Sequence, residues 1–352
     1  MTSIPINFDE VKEISNFLPK FIDILSKNLG DGSLDILSLF ENYTRAKEIS
    51  QKMRDEGIVV PKVLIISPSM RCNLDCIGCY AKGYLKDGEL SLEEIDRVIN
   101  EAKDLGIFLF LISGGEPFFR EGLLDVLTCH RDVVSWIFTN GTLFTQAVAD
   151  RLEKCRTIFP LFSIEGFKRE TDTWRGKGTY EKIILAMESA RKRNIQFGFS
   201  TTVTKRNISA VTQEEFIDGM IEAGCKVGIY LDYNHKDNNV PDTFSCDRAE
   251  KLFLKEVVDK YNEREDFALV NQSHWEEMAG GCLGAGRGLL HINSQGGVEP
   301  CPMVRLPGGN IRDKSLKDIL GSELFAKMRK NREHLEDGLD WCILKNQEGL
   351  IL

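Results

Sequence analysis

Long hydrophobic runs, histidine and basic charge are all scarce in this 352-residue sequence. Its longest apolar run, residues 107–112, is far shorter than the roughly 20 residues that a transmembrane helix needs, so we expect no transmembrane span. Lysine and arginine number 45 against 54 acidic residues, for a net charge of -9. Nucleic-acid-binding proteins normally present a basic face to the phosphate backbone, and we therefore expect no nucleic acid partner. The composition is otherwise that of an ordinary globular protein, 42% hydrophobic and 28% charged.

Cysteine, by contrast, is plentiful, with ten in the chain. We expect no secretory leader and therefore a cytoplasmic protein. The cytoplasm is a reducing compartment, in which thiols serve as metal ligands and do not pair as disulfides. The cysteines accordingly direct attention to metal chemistry.

Three cysteines have the spacing Cys72-x3-Cys76-x2-Cys79. Three thiolates on one tight loop can hold three irons of a [4Fe-4S] cluster and leave the fourth iron without a protein ligand. Structural zinc is an alternative, but it takes four ligands, and neither a second CxxC pair nor a nearby histidine completes this set. An electron-carrier ferredoxin would have C-x2-C-x2-C with a fourth cysteine, whereas the next cysteine here is Cys129. The motif therefore predicts a cluster with one open iron, where chemistry can take place.

The chain is longer than a usual single domain and divides into three parts. Residues 1–60 show helical spacing of apolar residues, which predicts a helical segment packed on the main domain; a membrane-surface helix is the alternative. Residues 61–262 alternate β-branched or aromatic runs with amphipathic ones, and residues 263–352 lose that rhythm and contain further cysteines. The predicted strands are Val63–Ile66, Phe108–Ile112, Val134–Phe138, Phe159–Ile164, Gln196–Val203 and Val227–Asp232.

Helical patterns lie between these strands. The clearest begins at Ser91, where Ser91 and Glu94 have the spacing of a capping box. Six strands that are each followed by a helix predict an α/β fold, with a parallel sheet and right-handed crossovers that curve into a barrel or an open barrel. In such a sheet, functional residues gather on the loops at the carboxyl ends of the strands.

Polar motifs do follow the predicted strands. After the cysteine motif come Gly114–Pro117, Thr139–Gly141, Glu165–Gly166 and Asp232–His235. Candidates to face a substrate at the end of the sixth strand are Tyr230, Asp232, Tyr233 and His235. An ordinary hydrated loop explains these four equally well.

The cysteine motif after a first strand, together with Gly114-Gly115-Glu116-Pro117 after the second, resembles the radical S-adenosylmethionine (SAM) superfamily. The resemblance covers residues 61–235 and resumes near the C-terminus. It implies a partial (β/α)6 TIM-like barrel, a [4Fe-4S] cluster and SAM. It also implies that SAM chelates the open iron and is reductively cleaved to a 5'-deoxyadenosyl radical, which abstracts a hydrogen from the substrate.

The resemblance also assigns roles to loop residues. Gly114 and Gly115 would let the backbone approach the methionyl part of SAM, and Glu116 would accept a hydrogen bond from its amino group. Further SAM-binding candidates are Tyr80, Asn140, Ser163, Thr202 and Arg175, the last as a partner for the SAM carboxylate. A simple Gly-Pro turn remains the alternative for the glycine motif, and shaping of its turn remains the alternative for Asn140.

One position departs from the family pattern. Family members often carry an aromatic residue immediately before the third cysteine, whereas this chain has Gly78 there and Tyr80 immediately after Cys79. The contact with the adenine of SAM on this loop is therefore in question, with Tyr80 as the candidate.

A second cysteine set, Cys282, Cys301 and Cys342, resembles the C-terminal auxiliary-cluster extensions called SPASM and Twitch. The full SPASM pattern has seven cysteines with a CxxC pair, which is absent here, so the set predicts one auxiliary [4Fe-4S] cluster of Twitch type, with Cys246 as a candidate fourth ligand. Buried thiols in a small domain are the alternative. Cys129, Cys155 and Cys225 lie on helical patterns, where core packing is expected.

The substrate is less defined than the chemistry. Relatives that modify peptides can carry a leader-binding module with a β-hairpin, and residues 1–60 show no obvious hairpin, which favours a small-molecule substrate over a peptide or protein. We expect reduced flavodoxin or ferredoxin as the electron donor. The alternative from another class is a non-catalytic iron-sulfur scaffold or electron carrier, which would not bind SAM.

Overall fold

The computed structural model describes residue 24, residues 33–233, residues 243–273, residue 276, residues 282–284 and residues 286–330. The strands of this part are β1 (Val63–Ile66), β2 (Leu109–Ile112), β3 (Val134–Thr139), β4 (Ile158–Ser163), β5 (Gly198–Val203), β6 (Val227–Asp232), β7 (Ala268–Asn271), β8 (Leu289–Ile292), β9 (Gly297–Glu299) and β10 (Gly309–Asn310). They form one sheet in the order β10-β9-β8-β1-β2-β3-β4-β5-β6-β7.

The sheet is an open partial barrel. From β8 through β1 to β7 every neighbouring pair is parallel, while β9 and β10 continue from β8 as antiparallel strands. The six predicted strands are confirmed as β1 to β6, each within two residues of its expected ends. The parallel strands β7 and β8 extend the sheet beyond that prediction.

Helices follow most of the strands. Their bounds are α1 Ser33–Asp55, α2 Leu92–Asp104, α3 Leu123–Leu127, α4 Gln146–Leu152, α5 Lys168–Arg175, α6 Thr179–Lys192, α7 Ile208–Val211, α8 Glu214–Ala223, α9 Arg248–Asn262, α10 Leu316–Leu320 and α11 Glu323–Lys330. The capping box before α2 is confirmed, because Ser91 Oγ accepts from the Glu94 amide at 3.1 Å while the Glu94 carboxylate accepts from the Ser91 amide at 2.7 Å.

The core lies between the sheet and this helical layer. Every residue of β1 and of β4 is buried, as the near-continuous apolar runs of a doubly covered parallel sheet require. Cys155 and Cys225 are buried in this core as expected, but Cys129, just after α3, is exposed, so the prediction of core packing was wrong there. The helix before it is only five residues long and ends at Leu127, so Cys129 does not lie on its buried face.

The N-terminal helix α1 packs on the main domain. Tyr43 is buried, with its ring centroid 5.6 Å from that of Phe108 just before β2, and Leu39 is also in the core. The earlier apolar residues of the segment, apart from Ile24, lie outside the described residues. Within the described helices, none is both long enough and apolar enough to cross a bilayer.

Candidate active site

The cysteine loop leaves the carboxyl end of β1. Cys72, Cys76 and Cys79 are all partly exposed free thiols on this loop. Burial raises the pKa of the Cys76 thiol to about 11; the nearby Arg175 guanidinium opposes the rise, and Cys72 and Cys79 add to it. A raised pKa keeps the free thiol protonated, and ligation of a metal group would displace that proton.

The donor set suits a cluster better than a single ion. Among the described residues, no three histidine, cysteine, aspartate or glutamate side chains lie close enough together to hold one metal ion. A tetrahedral zinc site would need such convergence, whereas each cluster cysteine binds a different iron.

The Gly114-Gly115 loop packs directly on the backbone that leads into the cysteines. The Gly115 and Glu116 amides donate to the Ser69 and Arg71 carbonyls, both at 2.9 Å. A Cβ at Gly115 would lie 2.0 Å from the Arg71 carbonyl oxygen, and Gly114 has φ +102° with its Cβ position 2.4 Å from the Ser69 oxygen. Only glycine permits this approach, which makes the two loops one surface and is more than a simple Gly-Pro turn requires.

Glu116 stabilises that surface through three hydrogen bonds. Its buried carboxylate accepts from Thr139 Oγ1 at 2.8 Å, from the Asn140 amide at 2.7 Å and from the Phe118 amide at 3.1 Å. Burial raises the pKa of this carboxyl to about 7 despite these bonds. A carboxylate has about four acceptor sites, so one position stays available for the amino-group contact that the resemblance implies.

Asn140 joins the third strand to the cysteine loop. Its side-chain nitrogen Nδ2 lies 3.7 Å from Cys72 Sγ and 3.0 Å from Asn73 Oδ1. Its side-chain oxygen Oδ1 accepts from the Thr142 backbone amide at 2.9 Å. Asn73 in turn donates to Thr142 Oγ1 at 2.8 Å. The side chain therefore both shapes its turn and touches a cysteine. Sequence analysis missed Asn73, although its position beside Cys72 was a signal.

Tyr80 faces the glycine loop from the other side. Its hydroxyl accepts from the Gly114 amide at 2.7 Å and lies 2.9 Å from Ser113 Oγ. Tyr80 begins a short 3-10 helix, Tyr80–Gly83, directly after the third cysteine. The structure thus places this candidate against the glycine motif, while its contact with SAM stays a prediction.

Arg175 and Glu165 form a buried ion pair beside the cysteines. The Arg175 guanidinium donates to Glu165 Oε1 at 2.5 Å, and the other oxygen of Glu165 accepts from the Thr202 amide at 2.8 Å. Arg175 Nε is buried and has no hydrogen-bond partner within the described structure. An unpaired buried donor is costly unless a ligand completes it, so this atom fits the carboxylate contact that the resemblance implies.

The two remaining SAM-binding candidates lie at the ends of β4 and β5. Ser163 is buried, and its hydroxyl lies 3.2 Å from that of Ser200 on the neighbouring strand. Thr202 is partly exposed and reaches Glu165 through its amide. Glu165 was noted in the sequence only as part of a loop, yet it connects these candidates to Arg175.

The structure explains the glycine at position 78, where this chain departs from the aromatic residue of the family pattern. Gly78 has φ +65°, and a Cβ there would lie 2.6 Å from Tyr233 Cε2 and 3.2 Å from the Trp174 ring. The rings of Trp174, Tyr233 and Phe244 meet edge to face with centroids 5.4 to 5.9 Å apart. Aromatic side chains from elsewhere in the chain therefore occupy the space beside the third cysteine.

The substrate-facing candidates of the sixth strand lie in different environments. Tyr230 is wholly buried on the helical face, where its hydroxyl donates to the Val211 carbonyl, so the expectation that it faces a substrate was wrong. Asp232 is partly exposed and accepts from the Ser273 amide at 3.0 Å. Near it lies Glu276, whose pKa burial raises to about 7, with the Asp232 charge adding to the rise. His235 lies outside the described residues.

Of the second cysteine set, two members can be placed. Cys282 and Cys301 are partly exposed, and a Cβ at Gly284 would lie 2.9 Å from Cys301 Cβ, so the two cysteine segments are in contact. Cys342 lies outside the described residues. Cys246 lies near Asp232 and Glu250, and burial raises the pKa of its thiol to about 12. Its part as a fourth ligand stays a prediction.

Comparison with known families agrees with this site. Residues 66–213 match the family model of the radical SAM superfamily, and the chain belongs to that superfamily. Residues 282–342 match the model of SPASM, an iron-sulfur cluster-binding domain, so the protein is a radical SAM enzyme with a C-terminal SPASM domain. The absent CxxC pair had favoured the Twitch type; the match is to SPASM. An iron-sulfur cluster and SAM, the predicted cofactors, are those of these families.

Curated relatives and solved structures extend the picture. The chain is 26% identical to the AdoMet-dependent heme synthase of Methanosarcina barkeri, over 78% of this chain and 86% of that protein. It is also 26% identical to the mycofactocin maturase MftC of Mycolicibacterium smegmatis, over 78% and 74% respectively. Streptococcus suis SuiB bound to precursor peptide SuiA has the same fold, with a TM-score of 0.68 at 21% identity, over 89% of this chain and 77% of that one.

Proposed function

We propose that Cys72, Cys76 and Cys79 hold a [4Fe-4S] cluster whose open iron binds SAM, and that the enzyme abstracts a hydrogen from its substrate. When bound, the cluster supplies the electron that splits SAM into methionine and a 5'-deoxyadenosyl radical. The observation that carries this proposal is the single surface formed by the cysteine loop, the Gly114-Gly115 loop and the buried, unpaired Nε of Arg175.

The chain's own residues position SAM in this proposal. Arg175 offers a charged donor to the SAM carboxylate, and Glu116 offers its remaining acceptor position to the amino group. Asn140 and Tyr80 hold the cysteine and glycine loops in place, and Ser163 and Thr202 supply polar groups for the adenosine part. The surrounding fold excludes water from the radical.

For the substrate we favour a small molecule, in line with the heme synthase relative, whose match covers more of the relative's length than the maturase match does. A peptide is the second candidate, because SuiB, which shares this fold, was solved with a precursor peptide. Reduced flavodoxin or ferredoxin is the proposed electron donor, in a reducing, cytoplasmic setting that keeps the free thiols available for iron.

The central experiment is anaerobic reconstitution with iron and sulfide, reduction, and measurement of 5'-deoxyadenosine. We expect formation that depends on both SAM and reductant. A protein that binds iron but never releases the nucleoside would be the scaffold or electron carrier of the alternative reading. The Cys72/Cys76/Cys79→Ala triple variant should keep about four irons per chain in the auxiliary site. Finding none there would remove the predicted second cluster.

The substrate class can be tested with the same assay. A cell extract that stimulates 5'-deoxyadenosine formation is filtered by size and, in parallel, digested with a protease. Stimulation that survives digestion and passes a small-pore filter supports a small molecule. Stimulation that digestion abolishes supports the peptide candidate.

A further inference from the structure

A buried carboxylate lies between the two cysteine regions. Glu299, at the end of β9 and two residues before Cys301, is 2% exposed. Its oxygen Oε2 accepts from the Tyr84 hydroxyl at 2.7 Å and lies 2.8 Å from His291 Nδ1, while Oε1 accepts from Asn293 Nδ2 at 2.9 Å. Three side chains, one from residue 84 and two from β8 and the residue after it, thus converge on one carboxylate near an auxiliary-cluster cysteine.

The histidine arm of this network reaches the first strand. His291 is fully buried on β8, and its Nε2 lies 2.8 Å from the hydroxyl of Ser67, which follows β1 and is also fully buried. With Nδ1 donating to the carboxylate, a neutral ring accepts from Ser67 through Nε2. Ser67 packs against the glycine loop, because a Cβ at Gly114 would lie 3.1 Å from the Ser67 Cβ.

The tyrosine arm reaches the same loop by another route. Tyr84 follows the 3-10 helix that Tyr80 begins, and the two rings stand perpendicular with centroids 6.3 Å apart. Tyr80 contacts the Gly114 amide, whereas the Tyr84 hydroxyl reaches Glu299 and lies 3.1 Å from the Pro302 carbonyl. One short turn therefore touches the glycine motif at one end and the Cys301 segment at the other.

An exposed arginine closes over this turn. The Arg305 guanidinium lies 4.9 Å from the centroid of the Tyr84 ring. It also fills the space beside Gly83, where a Cβ would lie 1.4 Å from Arg305 Nη2. The Cys301 segment thus contacts the turn on its solvent side through Arg305 and on its core side through Glu299.

We propose that Tyr84 and His291 are positioning residues that, through Glu299, couple the Cys301 segment to the SAM-binding loop, so that a change at the auxiliary site alters the affinity for SAM. This inference rests on the proposed function. Without the Tyr84 hydroxyl the turn loses its anchor, and Tyr80 no longer holds the Gly114 backbone in the position that SAM requires. Coupling between two sites is reciprocal, so SAM also stabilises the Cys301 segment.

The test measures the SAM dissociation constant by anaerobic equilibrium dialysis on the reconstituted full chain. Tyr84→Phe removes only the hydroxyl, and we expect it to weaken SAM binding about fivefold or more, with unchanged iron content. The control is Tyr230→Phe, which removes a more deeply buried hydroxyl bonded to a backbone carbonyl on the helical face of the sheet. That control should bind SAM as the unmodified protein does.

Coupling is established by combining Tyr84→Phe with Cys301→Ser. Each single change should weaken SAM binding, and the pair should weaken it by less than the product of the two, because both break one route. Equal affinity in Tyr84→Phe and the unmodified protein, an equal loss in Tyr230→Phe, or a fully multiplicative pair would each overturn the inference.

If Tyr84→Phe does not retain iron, Arg305→Ala serves instead, because Arg305 is exposed and its loss leaves the core intact. It should weaken SAM binding by a smaller factor, and no weakening would overturn the inference. Failure of the proposed function is distinguishable, since it appears as an unmodified protein that releases no 5'-deoxyadenosine.

Discussion

The two cysteine regions are built in different ways. Cys72, Cys76 and Cys79 are neighbours in sequence on one loop, held by the glycine loop, the Asn140 turn and Arg175. Cys282 and Cys301 stand on either side of β8 and β9, and their segments meet only because those strands bend back on each other. The first site is thus a short sequence motif supported by several loops, whereas the two described cysteines of the second are brought together across the antiparallel β8–β9 pair.

The largest effect should separate the two regions outright. Cys76→Ala removes a ligand from the loop that faces the SAM-binding glycines, so we expect 5'-deoxyadenosine formation to vanish. The electron paramagnetic resonance change that SAM causes in the reduced protein should vanish with it, yet persist in Cys301→Ala. Cys129→Ala, at an exposed cysteine outside both sets, should match the unmodified protein. Retained SAM cleavage in Cys76→Ala would refute the cluster assignment.

The buried ion pair between Arg175 and Glu165, beside the first cysteine region, should account for the next largest effect. Arg175→Ala leaves the Glu165 carboxylate buried without its cation, and breaking a buried pair in this way costs about 3–5 kcal/mol of unfolding free energy. Arg169→Ala, on the same helix but with a side chain 88% exposed, should cost about 0–1 kcal/mol. Urea unfolding of the iron-free protein measures both. Similar losses in the two variants would show that the buried pair does not stabilise this region.

A third difference concerns pH. The folded pKa of Glu116 is raised to about 7, above that of an unfolded glutamate, so the folded state binds more protons between the two values. Stability from this group is therefore present at low pH and is lost as the pH rises from the unfolded pKa to the folded pKa of about 7, by about 3 kcal/mol in all. Glu116→Gln should flatten the decline in unfolding free energy between pH 5 and 8. An unchanged slope would contradict the burial of this charge.

The smallest effect should come from the glycine beside the third cysteine. Gly78→Ala places a side chain at φ +65° and against the Tyr233 ring, whereas Gly57→Ala has a similar φ of +83° with no atom within 4 Å. Both should lose about 1–2 kcal/mol of unfolding free energy from backbone strain, with a further loss only at Gly78. Equal losses in thermal or urea unfolding would show that the aromatic contact does not constrain the loop.

The parts that sequence predicted well are those fixed by local patterns. The six strands, the Ser91 capping box and the first cysteine loop all depend on residues within a few positions of one another. Strands β7 and β8 escaped because they lie after residue 262, where the alternation of apolar and amphipathic segments that predicted the first six strands is lost. Tyr230 was misjudged for a related reason, since a parallel strand buried on both faces shows no polar alternation to mark its inner side.

The residues of the candidate site also fall into those that local spacing predicts and those that only long-range contacts bring together. The glycine and cysteine motifs could be found by spacing, but the pairing of Arg175 with Glu165 depends on the crossover between two strands. The convergence of Tyr84 and His291 on Glu299 joins residues more than 200 positions apart in the first case and eight in the second, with no motif to announce either.

The place of β8 beside β1 has a consequence for biosynthesis. Val63 pairs with Leu289, so the strand that leads into the first cysteine loop has an open edge until more than 200 further residues have been translated. Unpaired strand edges invite wrong partners, and pairing across so long a separation is slow. The nascent chain must therefore wait for its far end before that strand has both neighbours, and a polypeptide cut short before β8 would present a bare edge to other chains.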